Sequence, residues 1–432
     1  MEKTTRVPVV SKKVLLPFIL ITSLFALWAF ANDITNPMVA AFATVMEISN
    51  AKAALIQFAF YGGYATMAIP AALFVRKHSY KKGILLGLGL YAFGALLFYP
   101  AAKYEIFEFF LISLYILTFG LAFLETTANP YILSMGDERT ATQRLNLAQA
   151  FNPIGSLLGM FVASKFILTF LESDKRNEFG ELIFTNLDEA QKMVIRTHDL
   201  EVIRNPYLIL GFVVIAMFLV ITLLKMPEQA KNQITGSAYD SFKRLIKNGK
   251  YREGVIAQLF YVAAQIMCWT FIIQYAENLG ITKAEAQNYN IIAMALFLIS
   301  RFICTFLMKY VSSRILLTTF AFGGMITTFC VVFVGGILGL YFLVATSFFM
   351  SLMFPTIYGI ALHGLKEEDT TLGAAGLVMA IVGGAIMPIL QGLIIDFKTI
   401  GNYSAVNISF LLPFSCFFII AIYGYRTLKV YN

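Results

Sequence analysis

The sequence predicts an all-α membrane protein of about twelve transmembrane helices, arranged as two related six-helix halves. Three observations carry this expectation. Of the 432 residues, 59% are hydrophobic and only 13% charged, with a mean hydropathy of +0.74. Apolar runs of membrane-spanning length recur along the whole chain, and a polar break falls near its middle. A soluble domain carries about 25% charged residues, and this many apolar side chains cannot be hidden beneath a polar surface. A soluble enzyme, a nucleic-acid binder and a disordered or fibrous protein are therefore excluded. Ten-residue segments of alternating polarity, which a membrane β-barrel requires, are absent from the sequence.

A spanning helix needs about 20 mostly apolar residues. Such runs fall near 14–43, 53–75, 83–101, 106–135, 146–171 and 206–226, then near 254–276, 286–308, 315–336, 338–362, 371–396 and 404–425. The expected organisation is one bundle over 1–226, a cytoplasmic linker over 227–253 and a second bundle over 254–432. Within the linker, Asp240-Ser-Phe-Lys-Arg-Leu-Ile-Lys places Phe242, Leu245 and Ile246 on one side, as a helix resting on the inner membrane surface would. A solvated linker is the alternative.

Lysine and arginine in the connections set orientation. With the N-terminus inside, twenty-two of the 33 lie on the cytoplasmic side, nine outside, and Lys165 and Arg301 within helices. Five of the outside charges fall in one longer loop near 172–205, which reads as a small cap beyond the bilayer. Both termini are thus expected in the cytoplasm of a multi-pass inner-membrane protein. The formal net charge of +8 then describes topology, not affinity for nucleic acid. Lys12 and Lys13 precede an apolar run too long, and too poor in small residues at its end, for a cleavable signal peptide. Cys268, Cys304, Cys330 and Cys416 lie in apolar runs without CxxC spacing, so they read as small apolar fillers, not as a metal site or disulfide framework.

Signs of duplication connect the halves. Trp28 and Trp269 sit in the first span of each, both followed two residues later by phenylalanine. The fourth spans carry Asn129-Pro130-Tyr131 and Phe354-Pro355-Thr356, and the fifth carry Gly155-Ser-Leu-Leu-Gly159 and Gly383-Gly384. Internal repeats with a site at the midplane between them characterise transporters. Pro130 and Pro355 each remove a helical hydrogen bond and are expected to bend their helices. Gly155 and Gly159 read as close helix packing.

Polar residues within spans are costly and mark function. In Leu27-Trp-Ala-Phe-Ala-Asn-Asp-Ile-Thr-Asn-Pro37, Trp28, Asn32 and Asn36 recur every four residues and share a helix face, with Asp33 beside them. Glu125 and Asn129 are again four apart, while Asn146, Gln149 and Asn152 recur at three-residue steps. Span two adds Gln57, Tyr61 and Tyr64, and span seven adds Tyr261, Gln265 and Trp269. Such amides also join neighbouring helices, for about 0.6 kcal/mol each. Five stripes of amides, aromatics and two carboxylates instead suit a shared sugar-binding cavity, where amides meet hydroxyls and flat rings meet the sugar's C–H face. Desolvation raises a carboxyl pKa by up to about 3–5 units, so an intramembrane acid such as Asp33 or Glu125 suits proton exchange. The alternative is a buried ion pair with Arg301 or Arg144. Glu47 and Glu108 lie near span ends, where water reaches them.

The sequence resembles the fucose permease branch of the major facilitator superfamily, whose members are proton–sugar symporters. The resemblance runs through most of the chain. It rests on Leu27-Trp-Ala-Phe-Ala-Asn32, Phe60-Tyr-Gly-Gly-Tyr64, Leu124-Glu-Thr-Thr-Ala-Asn-Pro-Tyr131, Arg144-Leu-Asn-Leu-Ala-Gln-Ala-Phe-Asn152, Cys268-Trp-Thr-Phe271 and Phe354-Pro-Thr-Ile357. It implies the major facilitator fold, a role for Glu125 in sugar binding and proton coupling, sugar contacts from Gln149 and Asn152, and tryptophans 28 and 269 lining the cavity. The branch's first-span aspartate falls at a position that is Asn36 here, while a carboxylate stands nearby as Asp33. The superfamily's Gly-x-x-x-Asp-Arg signature is reduced to Arg76-Lys-His-Ser-Tyr-Lys-Lys82. The function expected is proton-coupled import of a monosaccharide, L-fucose foremost, by alternating access, by a monomer without cofactor or metal. A symporter of another hexose or an exporter of amphipathic compounds are the alternatives. An enzyme is not expected: His78, His198 and His363 lack metal-ligand spacing, and no Ser or Cys nucleophile has a base nearby.

Overall fold

The computed structural model describes residues 8–35, 38–48, 52, 55–175, 177, 183–224, 237–281, 283–395, 397 and 399–430. Among them, eleven helices are long and apolar enough to cross a membrane, and these correspond to eleven of the twelve expected spans. The remaining one, expected near 254–276, is the helix Gly249–Thr270 followed by Ile272–Glu277. Gln258 and Gln265 dilute its apolar character. A two-residue hairpin, Thr399–Ile400 against Tyr403–Ser404, precedes the last span.

Several expected boundaries shift. The first span is helical over Leu15–Thr35 and the chain is helical again over Met38–Val45. The charged segment expected as an outer loop over 172–205 is helical from residue 189, because Glu189–Leu223 forms a single helix of 35 residues. At 1.5 Å per residue it is about 52 Å long, well beyond the ~30 Å hydrocarbon core. Asp188 caps it by accepting from the Gln191 amide. The segment before it is held by fully buried Asp199, whose carboxylate accepts the amides of Glu172 and Ser173, both at 2.9 Å.

The fifth span breaks into Ala141–Gln149 and Asn152–Val162. The tenth breaks into Gly336–Met350 and Met353–Leu362. Prolines explain both breaks. Pro153 and Pro355 have no N–H to offer the carbonyls of Gln149 and Ser351, four residues back. By contrast Pro130 lies within the continuous helix Phe107–Ser134. The linker segment expected as a surface helix or a solvated linker is helical over Ala238–Lys247, with Leu245 buried but Phe242 and Ile246 about half exposed. Arg244 ties it to Glu368 and Asp369. Cys268, Cys304 and Cys416 are buried and Cys330 partly so, all as free thiols.

The chain divides into two compact units, one of residues 1–22, 128–153 and 229–432, the other of 23–127 and 154–228. Glycine sets helix rotation in the second. Gly155 and Gly159 press on the backbone of Ala26 and Phe30, and Gly94 and Gly120 let the helices Tyr80–Leu96 and Phe107–Ser134 touch backbone to backbone.

Candidate functional site

In the unit of residues 23–127 and 154–228, close packing of the Phe107–Ser134 helix fixes which face carries Glu125. Both Glu125 and Asp33 are 7% exposed. Asp33 lies within electrostatic range of the Tyr61 phenol, and Glu125 within range of Tyr64. Trp28 is buried and packs on Phe25, ring centroids 4.2 Å apart. Asn32 and Tyr61 are half-buried. Asn36 and the Gln57 side chain lie outside the described residues.

In the other unit, Gln149 donates to the Asn129 side-chain oxygen at 2.8 Å, and both residues are buried. Asn146 donates to the Thr142 carbonyl and the Thr356 hydroxyl. Asn152 is half-buried beyond the break, so the expected single stripe of Asn146, Gln149 and Asn152 is divided between two helices. Trp269 donates through its indole N–H to Ser347 Oγ at 3.1 Å and meets Phe297 edge-on at 5.1 Å. Tyr261 is fully buried, one turn before half-buried Gln265.

Arg301 organises this unit, and its bonds are to backbone carbonyls, not the carboxylate pairing that the sequence left as an alternative. Its Nε donates to Ser351 O at 2.6 Å and its Nη1 to Gln149 O at 2.8 Å, while the guanidinium lies 4.6 Å from the Phe297 ring centre. These are the two carbonyls that Pro355 and Pro153 leave without a helical partner. One buried arginine therefore caps both breaks and fixes the backbone that carries Gln149. Arg144 acts similarly, donating to the carbonyls of Ile132, Leu133, Val9 and Asp137 and to the Thr140 hydroxyl. Among the described residues, every hydrogen bond of both guanidinium groups ends on a carbonyl or hydroxyl oxygen.

Sequence reasoning missed Gln258. It is fully buried on the same helix face as Tyr261, and both its amide atoms, like the Tyr261 hydroxyl and Asn146 Oδ1, find no hydrogen-bond partner among the described residues. A buried polar group left so costs about 1–3 kcal/mol, as both amide atoms of Gln258 do. Its three-residue offset from Tyr261 was the available signal. No group of three or more His, Cys, Asp or Glu suited to a metal occurs among the described residues.

Residues 19–388 match the family model described as Major Facilitator Superfamily. The chain belongs to the major facilitator superfamily. It is 66% identical over 426 residues to a Haemophilus influenzae protein named L-fucose-proton symporter, a match that covers 98% of this chain and 99% of the relative. An Escherichia coli protein of the same name is 35% identical over 96% of this chain and 93% of its own length. A crystal structure of the E. coli fucose:proton symporter aligns with a TM-score of 0.86 at 34% identity, covering 96% of this chain and 99% of that one. The fold expected from the sequence, a major facilitator fold of about twelve helices in two six-helix halves, is the fold of this superfamily member.

Proposed function

We propose that this chain imports L-fucose together with a proton across the bacterial cytoplasmic membrane by alternating access. The observation that carries the reading is 66% identity, over nearly the full length of both chains, to a protein named L-fucose-proton symporter. In this reading Asp33 and Glu125 exchange the proton. The sugar is held by Trp28, Asn32, Asn36, Gln57, Tyr61, Asn129, Gln149, Asn152, Tyr261, Gln265 and Trp269, with amides on its hydroxyls and rings on its C–H face. Protonation of the acids from outside removes a charge that would otherwise oppose closing the cavity around an uncharged sugar. The loaded bundles, 1–226 and 254–432 joined by a linker over 227–253, then rock so that sugar and proton leave inward. Both termini face the cytoplasm and the transporter works as a monomer.

The test is L-fucose-driven alkalinisation of the medium around cells or right-side-out vesicles. The wild type is expected to respond to L-fucose, while a variant combining Glu125→Gln and Asp33→Asn binds or exchanges sugar without moving protons. Proton movement that persists in the double variant would overturn the coupling role. Uptake of labelled galactose or glucose in place of L-fucose would overturn the substrate.

A further inference from the structure

An apolar groove of about 470 Å³ runs along one flank of the unit formed by residues 23–127 and 154–228. Its floor is one stripe of the helix Tyr80–Leu96, formed by Lys82, Leu86, Gly89 and Phe93, with Phe74 and Phe218 contributed by neighbouring helices. The four floor positions follow at steps of four, three and four residues and so share a face. From Lys82 to Phe93 the stripe rises about 16 Å at 1.5 Å per residue. That matches one leaflet of a hydrocarbon core about 30 Å thick.

Glycine has two opposite uses on this helix. Gly83, Gly87 and Gly94 lie on the packed side, where an added Cβ would collide with the Phe107–Ser134 helix or with Val75. At Gly89 nothing lies within 4 Å of an added Cβ. That glycine opens space on the groove side and is not required by packing within the unit.

The groove is apolar along its length and cationic at one end. The connection over 76–82 holds Arg76, Lys77, Lys81 and Lys82 and no acid. Lys81 is occupied, donating to the carbonyls of Thr222 and Leu224 at 2.9 and 2.7 Å and so tying the end of the Glu189–Leu223 helix to this border. Lys82 lines the groove, and its exposed ammonium makes no hydrogen bond or ion pair among the described residues. An unpaired cation where a shallow apolar groove of one-leaflet length meets the polar border complements a long-chain molecule with an anionic head.

We propose that this groove binds an anionic phospholipid, with one acyl chain along the Leu86–Phe93 stripe and the phosphate on Lys82. The proposal requires that the chain span a bilayer and is independent of which solute it carries. Basic residues near a membrane surface attract anionic lipid by about 1 kcal/mol each, which is roughly a fivefold preference at 25 °C.

The experiment is native mass spectrometry of the full chain, purified in detergent and titrated with equimolar phosphatidylglycerol and phosphatidylcholine of the same chain length. The wild type is expected to retain phosphatidylglycerol about fivefold over phosphatidylcholine. Lys82→Gln should bring that ratio near one, and Gly89→Leu, which fills the open space, should lower retention of both lipids with the melting temperature unchanged. Equal retention of the two lipids by the wild type overturns the proposal. So does retention that neither substitution alters, or a second copy of the chain that Gly89→Leu releases in place of lipid.

Discussion

Replacing Arg301 tests whether one guanidinium holds two proline-broken helices together. Arg301 is 2% exposed and donates to Gln149 O and Ser351 O at 2.8 and 2.6 Å. A hydrogen bond from a charged donor contributes about 1.5–3 kcal/mol, so the pair supplies about 3–6 kcal/mol before the cost of burying the cation is set against it. That desolvation cost is also several kcal/mol, and it disappears in Arg301→Met. What remains in that variant is two buried carbonyls without partners, each destabilising by about 1–3 kcal/mol. The expected net loss is about 2–6 kcal/mol. Arg301→Lys keeps the charge but presents a point donor instead of a planar fork, and one ammonium cannot reproduce both bonds, so a loss of about 1.5–3 kcal/mol is expected.

The decisive comparison adds Pro355→Ala, which restores an N–H four residues beyond Ser351. With that amide available, Ser351 O no longer depends on Arg301, so Arg301→Met should cost about 1 kcal/mol less in the Pro355→Ala background, the value of one ordinary hydrogen bond. Unfolding of detergent-purified protein, followed by loss of helical circular dichroism in a denaturing-detergent titration, reads all four members of the cycle. Strict additivity, or Arg301→Lys as stable as the wild type, would refute the assignment of Arg301 as a cap for both breaks.

Three further outcomes are expected. His363 is half-buried, faces Glu138 at 3.4 Å and has Lys250 and Arg314 nearby; burial first, then the two cations, hold its pKa below the usual histidine value against the opposing pull of Glu138. The unfolded chain therefore binds this proton more tightly than the folded one, so stability should fall as pH drops below about 6.5, and His363→Gln should flatten that acid limb in a thermal-shift series. At Gly155 an added Cβ would sit 1.9 Å from Ala26 O, so Gly155→Ala should destabilise by about 3 kcal/mol or more and lower the monodisperse fraction on gel filtration, whereas Gly89→Ala should not. Asp199→Ala leaves the amides of Glu172 and Ser173 without their charged acceptor, and opening of that segment by about 3 kcal/mol or more should appear as rapid proteolysis between residues 172 and 188.

The spans were legible because a bilayer demands a long apolar run, a signal that survives any uncertainty about packing. The helix over residues 189–205 was not, because outside lipid a helix leaves no hydropathy signature. Its start was nonetheless written as Asp188-Glu-Ala-Gln191, a residue that caps a first turn followed three positions later by glutamine. The break after Gln149 was similarly marked by Pro153, but periodic Asn and Gln suggested one uninterrupted stripe. Glu125, Asp33 and the tryptophans could be chosen from sequence because intramembrane polarity is rare. Gln258 escaped because the stripe of Tyr261, Gln265 and Trp269 was not extended a turn toward the N-terminus. The target of each arginine depends on contacts between distant helices, which no local spacing encodes.

Arginines 144 and 301 give the clearest case of chemistry that composition alone misassigns. In a membrane a buried cation invites pairing with the nearest intramembrane acid, and from sequence the available acids were Asp33 and Glu125. Yet a helix broken by proline exposes a carbonyl that lipid cannot satisfy, and that need is local, fixed by an offset of four residues, and present in any protonation state. A guanidinium, with five donors and no titration in the physiological range, meets it better than any neutral side chain. Arg301 therefore ends on the carbonyls orphaned by Pro153 and Pro355, and Arg144 on the carbonyls around 132–137. A permanent charge is thereby assigned to permanent structural duty. Such duty suits a symporter, because a proton carrier locked to a buried arginine would hold its charge through the whole cycle.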